Sequence, residues 1–442
     1  MTQSPETAHY CHPAQSPNER RWVLLLLLLA LSLRCAAAVI IDRHVHQSGR
    51  TFLVEGDANG YWELGRKIAT GQDYSLHSPP RKVLRTPGFP LLLAASIRLF
   101  GDNILHATLV LAATGTLACW LTWKIARRCT GPRSAIATLV LTAIAPLHVG
   151  SCVQVLSEGW FTVWLLLSLL TLQPLLKTTA NQYPHDQYQK HAHAWQALLA
   201  GLTTGCGVLV RPGWILWPPI AVIILLAFGH GSRSQKFAAA LMLAIGCWLA
   251  LLPWAWRNHE VCGHWIHTSL WSGPSLYDGL NPSATGASNM EFFDREQLPL
   301  IMDEYEVNEE YKRRAWEFVR QQPIRTLQLA FLKAARFLSP IPQAEGVASP
   351  AVSLVSLTWY IASVLLVARG CQLLRQTHAW APLLLLWAPF LQFLLIHLVF
   401  VGSLRYRLPV EFPLLVLAGH ALSAMLPLGK NLVADGIAGR DA

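Results

Sequence analysis

The chain has 442 residues, of which 53% are hydrophobic and only 14% are charged, against about 25% charged in a typical soluble domain. This composition excludes an ordinary soluble domain and indicates a protein with several membrane spans. The formal net charge is +10, but the basic residues lie between apolar runs and form no polar stripe of the kind that binds nucleic acid. The nine cysteines show no C-x-x-C spacing, so neither a zinc ribbon nor a disulfide framework is predicted.

The first apolar run extends from Trp22 to Ile41, and at about 20 residues it is long enough to cross a bilayer as a helix. Arg20 and Arg21 precede it and the run contains three successive alanines, so a cleaved secretory signal is an open alternative. The run is longer than a typical signal core, however, and an acidic pair, Glu55 and Asp57, follows shortly after it. A retained helix would place these two carboxylates at a membrane surface.

Ten membrane spans are predicted from the apolar runs. They are residues 22–41, 104–126, 134–151, 157–175, 195–210, 213–229, 237–256, 350–369, 380–401 and 408–427. Three short loops, after the second, sixth and eighth spans, carry lysine and arginine, which marks them as cytoplasmic. Both chain ends would then face the cytoplasm, and two long segments, residues 42–103 and 257–349, would lie outside.

Both external segments contain predicted interfacial helices. Residues 89–100 are apolar but too short to span, and they include Arg98, so we expect them to lie in the membrane interface. Residues 325–338 have the pattern of a basic amphipathic helix that rests on the bilayer. The predicted fold is therefore an all-α polytopic membrane protein with about ten transmembrane helices and two large external loops that carry interfacial helices.

Five short motifs follow one another along the chain. They are the segment 55–75 with RTPGFP soon after it, LSEGWF at 156–161, LVRPGW at 209–214, PWAWRN at 253–258, and RYRLPVEFPLLVLAG at 405–419. In this order they resemble the C-type glycosyltransferase superfamily, which includes the protein O-mannosyltransferases, the lipid A aminoarabinose transferases and many bacterial relatives. The similarity extends from about Trp22 to Met425.

The resemblance implies a membrane glycosyltransferase that moves a sugar from a polyprenyl-phosphate donor to an acceptor on the external face. It matches Asp57 with the catalytic acidic residue of the family and Glu158 with a second acidic position, and Glu55 is the secondary candidate. A carboxylate at the interface can take a proton from an acceptor hydroxyl while cations hold the departing phosphate. From the residues alone, a solvated loop face stays open for Glu55 and Asp57, and a helix cap for Glu158.

Arginines at predicted external ends of the spans are candidates for binding the donor phosphate, since a guanidinium binds phosphate through two hydrogen bonds. They are Arg85, Arg211, Arg257, Arg405 and Arg407. Snorkelling of these side chains to lipid headgroups is the alternative. Asp57 and Glu158 could together hold magnesium or manganese, so the need for a metal stays open. His264 and His267, which have no fixed acidic partners, give little support for zinc.

The predicted organisation is a cytoplasmic tail, residues 1–21, a transmembrane glycosyltransferase domain, residues 22–427, and a second cytoplasmic tail, residues 428–442. Ala58 follows Asp57 where protein O-mannosyltransferases typically have Asp-Glu, and the W-W-D-Y-G motif of oligosaccharyltransferases is absent. Neither of those activities is implied. The expected setting is the inner membrane of a bacterial-type cell with the active site on the periplasmic or external side. The acceptor, a lipid, a cell-wall glycan or a protein, stays open.

Two other classes of protein compete with this interpretation. A transporter or flippase of lipid-linked sugars would share the polytopic architecture, but such proteins usually carry mid-membrane charges and repeated halves. Here the charges collect at one predicted surface and no internal repeat is seen. A non-catalytic scaffold would leave the acidic pair and RTPGFP unexplained. The expected partners are thus a polyprenyl-phosphate sugar donor, an acceptor and membrane lipids, and not nucleic acid.

Overall fold

The computed structural model describes residues 15–177, 190–343 and 349–426, and within these ranges the chain is helical and contains no β-strand. Residues 1–14 of the predicted first tail and all of the second tail lie outside the described residues. The helices are α1 Pro17–Gln47, α2 Asp57–Thr70, α3 Gly88–Phe100, α4 Ile104–Thr130, α5 Pro132–Ile144, α6 Pro146–Ser151, α7 Ser157–Leu172, α8 Lys190–Val210, α9 Trp217–Phe228, α10 Arg233–Cys262, α11 Ser272–Gly279, α12 Glu291–Glu296, α13 Glu304–Gln321, α14 Pro323–Phe337, α15 Pro350–Gln376, α16 Trp380–Val399 and α17 Leu404–Met425, with short 3₁₀ helices at Gln173–Leu175, Pro212–Leu216 and Leu298–Leu300.

Six of these helices are long and apolar enough to cross a membrane: α1, α4, α10, α15, α16 and α17. They coincide with six of the ten predicted spans, so the prediction of an all-α polytopic membrane protein is confirmed. The other four predicted spans fall on shorter or less apolar helices, α5 to α9. The count of ten therefore stays a prediction.

The predicted third span is interrupted in the middle. Helix α5 ends at Ile144, and Pro146 begins α6. Because proline has no N–H, the carbonyl oxygen of Thr142 loses its helical partner four residues on. Arg34, fully buried on α1, donates hydrogen bonds to the carbonyl oxygens of Thr142 at 3.0 Å and Ala143 at 3.1 Å. A buried guanidinium thus satisfies the free carbonyl groups at the break.

Ion pairs and hydrogen bonds show which helix ends lie together. Arg127, in the last turn of α4, pairs with Glu19, in the first turn of α1, at 2.8 Å. Arg128 donates to the carbonyl oxygen of Leu170 near the end of α7. The basic residues that indicate the cytoplasmic side therefore gather at one end of α1, α4 and α7. The beginning of α7 lies at the other end, where it meets the beginning of α17.

The segment after α1 folds into α2 and α3, which pack closely on each other. Gly65 of α2 is so near to α3 that an added Cβ atom would lie 2.8 Å from the Cβ atom of Leu93. Helix α3 buries Phe89 and Leu93 against the bundle and exposes Leu91 and Leu99. One apolar face of α3 is therefore covered by protein, while the interfacial position predicted for the other face stays a prediction.

The second long segment folds into α11 to α14, and α14 has two contrasting faces. Leu327 and Phe331 are exposed, as expected of an apolar face that rests on the bilayer. Leu329 and Phe337 are buried, and between them Lys333 is buried too. A lysine at the centre of a buried helix face is unusual, because an ammonium group loses its hydration there.

Candidate active site

Five charged side chains from distant parts of the sequence meet at the beginnings of α2, α7 and α17. They are Asp57 at the first residue of α2, Arg85 in the loop before α3, Glu158 in the first turn of α7, Arg211 just after α8, and Arg405 in the first turn of α17. We call this group the arginine–carboxylate cluster. All five were site candidates from the sequence, and the structure brings them together.

Asp57 binds two arginines of the cluster. Its Oδ1 accepts a hydrogen bond from Nη2 of Arg85 at 2.5 Å, and its Oδ2 accepts one from Nη2 of Arg405 at 2.9 Å. Gly56, which precedes it, has a φ of +84°, a conformation that favours glycine. This turn starts α2 at Asp57 and leaves the carboxylate at the positive end of the helix dipole.

Glu158 also binds two arginines, and its side chain is only 5% exposed. Its Oε1 accepts from Nη1 of Arg211 at 3.0 Å and from Nε of Arg405. Arg405 therefore bridges the two carboxylates. The other oxygen, Oε2, is buried without a hydrogen-bond partner among the described residues, as is Nε of Arg85. The cluster thus keeps both an unused acceptor and an unused donor.

Two tyrosines lie against the arginines of the cluster. The guanidinium of Arg85 lies 5.1 Å from the centre of the Tyr61 ring, and those of Arg211 and Arg405 lie 4.7 and 5.4 Å from the centre of the Tyr406 ring. A guanidinium over an aromatic face is stabilised by the ring quadrupole. Neither tyrosine was predicted from the sequence, although Tyr406 stands directly beside Arg405 in the last motif.

Arg257 lies outside the cluster and holds the loop that carries Arg85. Its Nη1 donates to the carbonyl oxygen of Lys82 at 2.7 Å, and its Nη2 donates to that of Tyr74 at 3.2 Å. The hydroxyl of Tyr74 in turn donates to the carbonyl oxygen of Arg85 at 3.0 Å. Arg257 was predicted to bind the donor phosphate, but its guanidinium group instead donates hydrogen bonds to backbone carbonyl groups of the loop 74–86.

Arg407 and Glu55 also lie apart from the cluster. Arg407 is 1% exposed, its Nε donates to Glu411 at 2.5 Å, and its Nη1 donates to the carbonyl oxygens of residues 337 and 339 at the end of α14. It lies two positions after Arg405, and a helix turns by about 200° over that distance, so the two side chains leave α17 on different sides. Glu55 is exposed and makes no ion pair with the cluster.

The two arginines beside Asp57 control its acidity. Burial alone would raise the pKa of the Asp57 carboxyl group, but Arg85 and Arg405 outweigh this effect and hold that pKa well below its usual range. Burial lowers the pKa of Arg85, and Asp57 more than compensates, so that this pKa is raised. Asp57 is therefore ionised, and it is a weak base for as long as both arginines hold it.

The charge balance of the cluster does not fit a divalent cation at Asp57 and Glu158. Three of the four carboxylate oxygens already accept hydrogen bonds from three guanidinium groups. Magnesium or manganese would need these oxygens as ligands and would be repelled by the arginines. Within the described ranges, His264 and His267 included, the structure holds no group of three or more His, Cys, Asp or Glu side chains that could bind a metal ion.

Comparison with known proteins places the fold in a class. An archaeal oligosaccharyltransferase from Archaeoglobus fulgidus, solved with an inhibitory peptide and a dolichol-phosphate, matches with a TM-score of 0.57 at 13% identity, over 92% of this chain and 51% of that one. An oligosaccharyltransferase of the same organism in the apo form matches with a TM-score of 0.55 at 14% identity, over 92% of this chain and 50% of that one. Residues 84–256 match the family described as dolichyl-phosphate-mannose-protein mannosyltransferase. The predicted resemblance to the C-type glycosyltransferase superfamily is confirmed.

Particular relatives are found among bacterial aminoarabinose transferases. The undecaprenyl phosphate-alpha-4-amino-4-deoxy-L-arabinose arabinosyl transferase of Pseudomonas aeruginosa is 25% identical over 209 residues, which cover 46% of this chain and 36% of that protein. Arabinosyl transferase 1 of Pseudomonas fluorescens is 27% identical over 257 residues, which cover 54% of this chain and 41% of that protein. The matched region is thus less than half the length of either relative.

Proposed function

We propose that this protein is a membrane glycosyltransferase that moves a sugar from a polyprenyl-phosphate-linked donor to an acceptor at the external membrane face. The observation that carries the proposal is the bridge that Arg405 forms between Asp57 and Glu158. It combines a carboxylate able to act as a base with guanidinium groups able to bind phosphate. The similarity to transferases named for an undecaprenyl phosphate-linked sugar supports this donor class.

The cluster suits the bond changes of this reaction. The acceptor oxygen attacks the anomeric carbon of the sugar, and the bond from that carbon to the phosphate oxygen breaks. The acceptor gives its proton to Asp57, and polyprenyl phosphate leaves as an anion. Arg85, Arg211 and Arg405 stabilise the charge that develops on the phosphate, because the three guanidinium groups outnumber the two carboxylates by one.

Donor binding would also make Asp57 a better base. The donor phosphate competes with Asp57 for Arg85 and Arg405, since guanidinium binds phosphate through two hydrogen bonds. As the ion pairs to Asp57 loosen, its pKa rises towards the usual range and the carboxylate accepts a proton more readily. The ion pair between Glu158 and Arg405 is retained during this exchange. In this proposal the base becomes active only when a donor is present.

The remaining candidate site residues lie outside the cluster, and we assign them supporting roles. Arg257 fixes the loop 74–86 and so the position of Arg85. Arg407 ties α17 to the end of α14, while exposed Glu55 has a secondary role at the entrance to α2. No step of the proposed reaction requires a metal ion.

We place the cluster at the periplasmic face of the inner membrane. The positions of Arg127 and Glu19 support this placement, because they put the basic loop after α4 at the end of the bundle opposite to the cluster. The transmembrane domain would be residues 22–427 with ten spans, the external loops 42–103 and 257–349 would surround the cluster, and the tails 1–21 and 428–442 would be cytoplasmic.

The acceptor is a lipid, a cell-wall glycan or a protein of the envelope. The matched family is described by transfer to protein, whereas the bacterial relatives are arabinosyl transferases. A transporter or flippase of lipid-linked sugars is not favoured, because the sequence and family matches are to transferases.

The test is release of polyprenyl phosphate by the purified protein. The protein in detergent is incubated with a panel of undecaprenyl-phosphate hexoses and pentoses and with an envelope extract as the source of acceptor. A transferase releases undecaprenyl phosphate with at least one donor, and Asp57→Asn protein serves as the inactive control. A transporter or scaffold leaves every donor intact. Mass spectrometry of envelope glycans from a deletion strain then identifies the acceptor.

A further inference from the structure

The turn between α16 and α17 leads the chain to Arg405, and a buried lysine of α14 holds the start of this turn. Lys333 is 0% exposed, and its Nζ donates to the carbonyl oxygens of Val399 at 2.6 Å and Leu398 at 3.4 Å. These are the last carbonyl groups of α16, which have no partner within the helix. The ammonium group therefore caps the negative end of α16, immediately before the turn.

Further contacts hold the same turn against α14. Nε of Arg336 donates to the carbonyl oxygen of Gly402 at 3.2 Å. Gly402 is so close to α14 that an added Cβ atom would lie 2.2 Å from the carbonyl oxygen of Lys333. The next residue, Ser403, caps α17 by accepting from the backbone N–H of Arg405 at 3.3 Å. The position of the first turn of α17 thus depends on α14.

His397 links this turn to the cluster from the other side. Its Nδ1 is 2.8 Å from the carbonyl oxygen of Val401, and its ring stacks on Tyr406 with the ring centres 4.4 Å apart. Tyr406 is the ring against which Arg211 and Arg405 lie. The path from α14 to the cluster is therefore short and continuous.

We propose that Lys333 is a positioning residue for Arg405, and this inference rests on the function proposed above. The capped end of α16 fixes the turn, and the turn fixes the guanidinium that bridges Asp57 and Glu158. An apolar side chain of similar length would fill the buried space without the cost of desolvating a charge. The charge is therefore best explained by the carbonyl groups that it holds.

The ammonium group of Lys333 should also titrate close to neutral pH. Burial lowers the pKa of Lys333 to about 8, and Asp278 on α11 opposes this shift. His397 on α16 also interacts with it electrostatically, and the elements packed around it carry Arg336, on its own helix, and Arg407, which binds the end of α14. Above this pH the neutral amine holds the carbonyl groups of α16 less strongly, whereas an arginine at position 333 would stay charged.

The experiment compares purified wild type, Lys333→Met, Lys333→Arg and Arg320→Met for donor use, as kcat/KM for the undecaprenyl-phosphate sugar that the wild type accepts. Arg320→Met removes an exposed cation from α13 and is the matched control. We expect Lys333→Met to lower kcat/KM by on the order of tenfold to a hundredfold, as misplacement of a catalytic group does. Lys333→Arg should recover most of this loss, and the control should match the wild type. Thermal unfolding in detergent is recorded for each variant.

A double variant of Lys333 and Arg405 distinguishes a positioning role of Lys333 from a merely structural one. In an Arg405→Ala background, Lys333→Met should change kcat/KM by no more than about twofold. The wild type should lose activity as the pH rises through about 8, and Lys333→Arg should not. Additive losses in the double variant, or the same alkaline decline in Lys333→Arg, would overturn the inference about Lys333. Neither result would contradict the proposed glycosyltransferase function. If Lys333→Met does not fold, the inference is tested by comparing the pH profile of Lys333→Arg with that of the wild type. A wild type that uses no donor refutes the proposed function and this inference with it.

Discussion

Nη2 of Arg405 lies 2.9 Å from Oδ2 of Asp57, although 348 positions of the sequence separate the two residues. The last helix of the described chain is thereby joined to the first helix of the first external loop. The same guanidinium also binds Glu158, so its position sets that of both carboxylates. Substitutions that move or remove Arg405 should therefore affect donor use more than substitutions of exposed arginines outside the cluster.

The first prediction compares Arg405→Ala with Arg233→Ala. Arg233 is exposed at the beginning of α10, on the predicted cytoplasmic side, and serves as the control. Loss of a charge-assisted contact to the donor phosphate should cost on the order of 1.5–3 kcal/mol, or roughly tenfold or more in donor use. The measurement is kcat/KM for the donor in normally expressed variants. Equal values for the two would refute the proposed donor site.

Arg405→Lys refines this comparison. Lysine keeps the positive charge but lacks the planar fork that lets Arg405 bind Asp57 and Glu158 at once. We therefore expect donor use between that of Arg405→Ala and the wild type, and thermal stability in detergent closer to the wild type. Wild-type kinetics for Arg405→Lys would mean that charge alone suffices and that the bridge has no role in the reaction.

The second prediction concerns the pH dependence of stability. The ion pairs hold the folded-state pKa of Asp57 below its unfolded value, so its contribution to stability is present above about pH 4 and is lost as the pH falls towards the folded-state pKa. The difference in unfolding temperature between wild type and Asp57→Asn should be constant from about pH 8 to pH 5 and shrink below about pH 4. A difference that instead changes between neutral pH and pH 5 would show a raised pKa.

The third prediction concerns sidedness. A reporter fused after Arg375, in the last turn of α15, should behave as cytoplasmic, because short loops with arginine stay inside. A reporter inserted near Ser288, between α11 and α12, should behave as external. Cytoplasmic behaviour near Ser288 would contradict the topology and place the cluster on the wrong face.

Much of the fold follows from the sequence because its signal is local. The long apolar runs predict α1, α4, α10, α15, α16 and α17, since length and composition alone decide whether a helix can span. The break before Pro146 was not predicted, because the apolar run continues across it. The buried guanidinium of Arg34 that makes this break tolerable comes from a different helix, and no local pattern shows such a contact.

The candidate site was predicted only in part, because the motifs are local whereas the contacts between the site residues are not. The motifs pointed to Asp57 and Glu158 and to the arginines, but they did not separate Arg405, which enters the cluster, from Arg407, which does not. Only the rotation of α17 distinguishes these two positions. Lys333 was missed entirely, because the amphipathic pattern of its helix marks a lysine as exposed. The carbonyl groups that bind it lie at the end of α16, as far as 66 positions further along the chain.

The measurement that tests the central claim most directly is sugar transfer by Asp57→Asn, with Glu55→Gln and Glu158→Gln as companions. Asparagine keeps the shape and removes the negative charge, so the variant should fold, as thermal unfolding will show. We predict that turnover falls by at least roughly a hundredfold, the loss usually associated with a missing general base, and that exposed Glu55 tolerates its substitution far better. Wild-type turnover in Asp57→Asn, with transfer abolished in Glu55→Gln or Glu158→Gln, would contradict the assignment of the base.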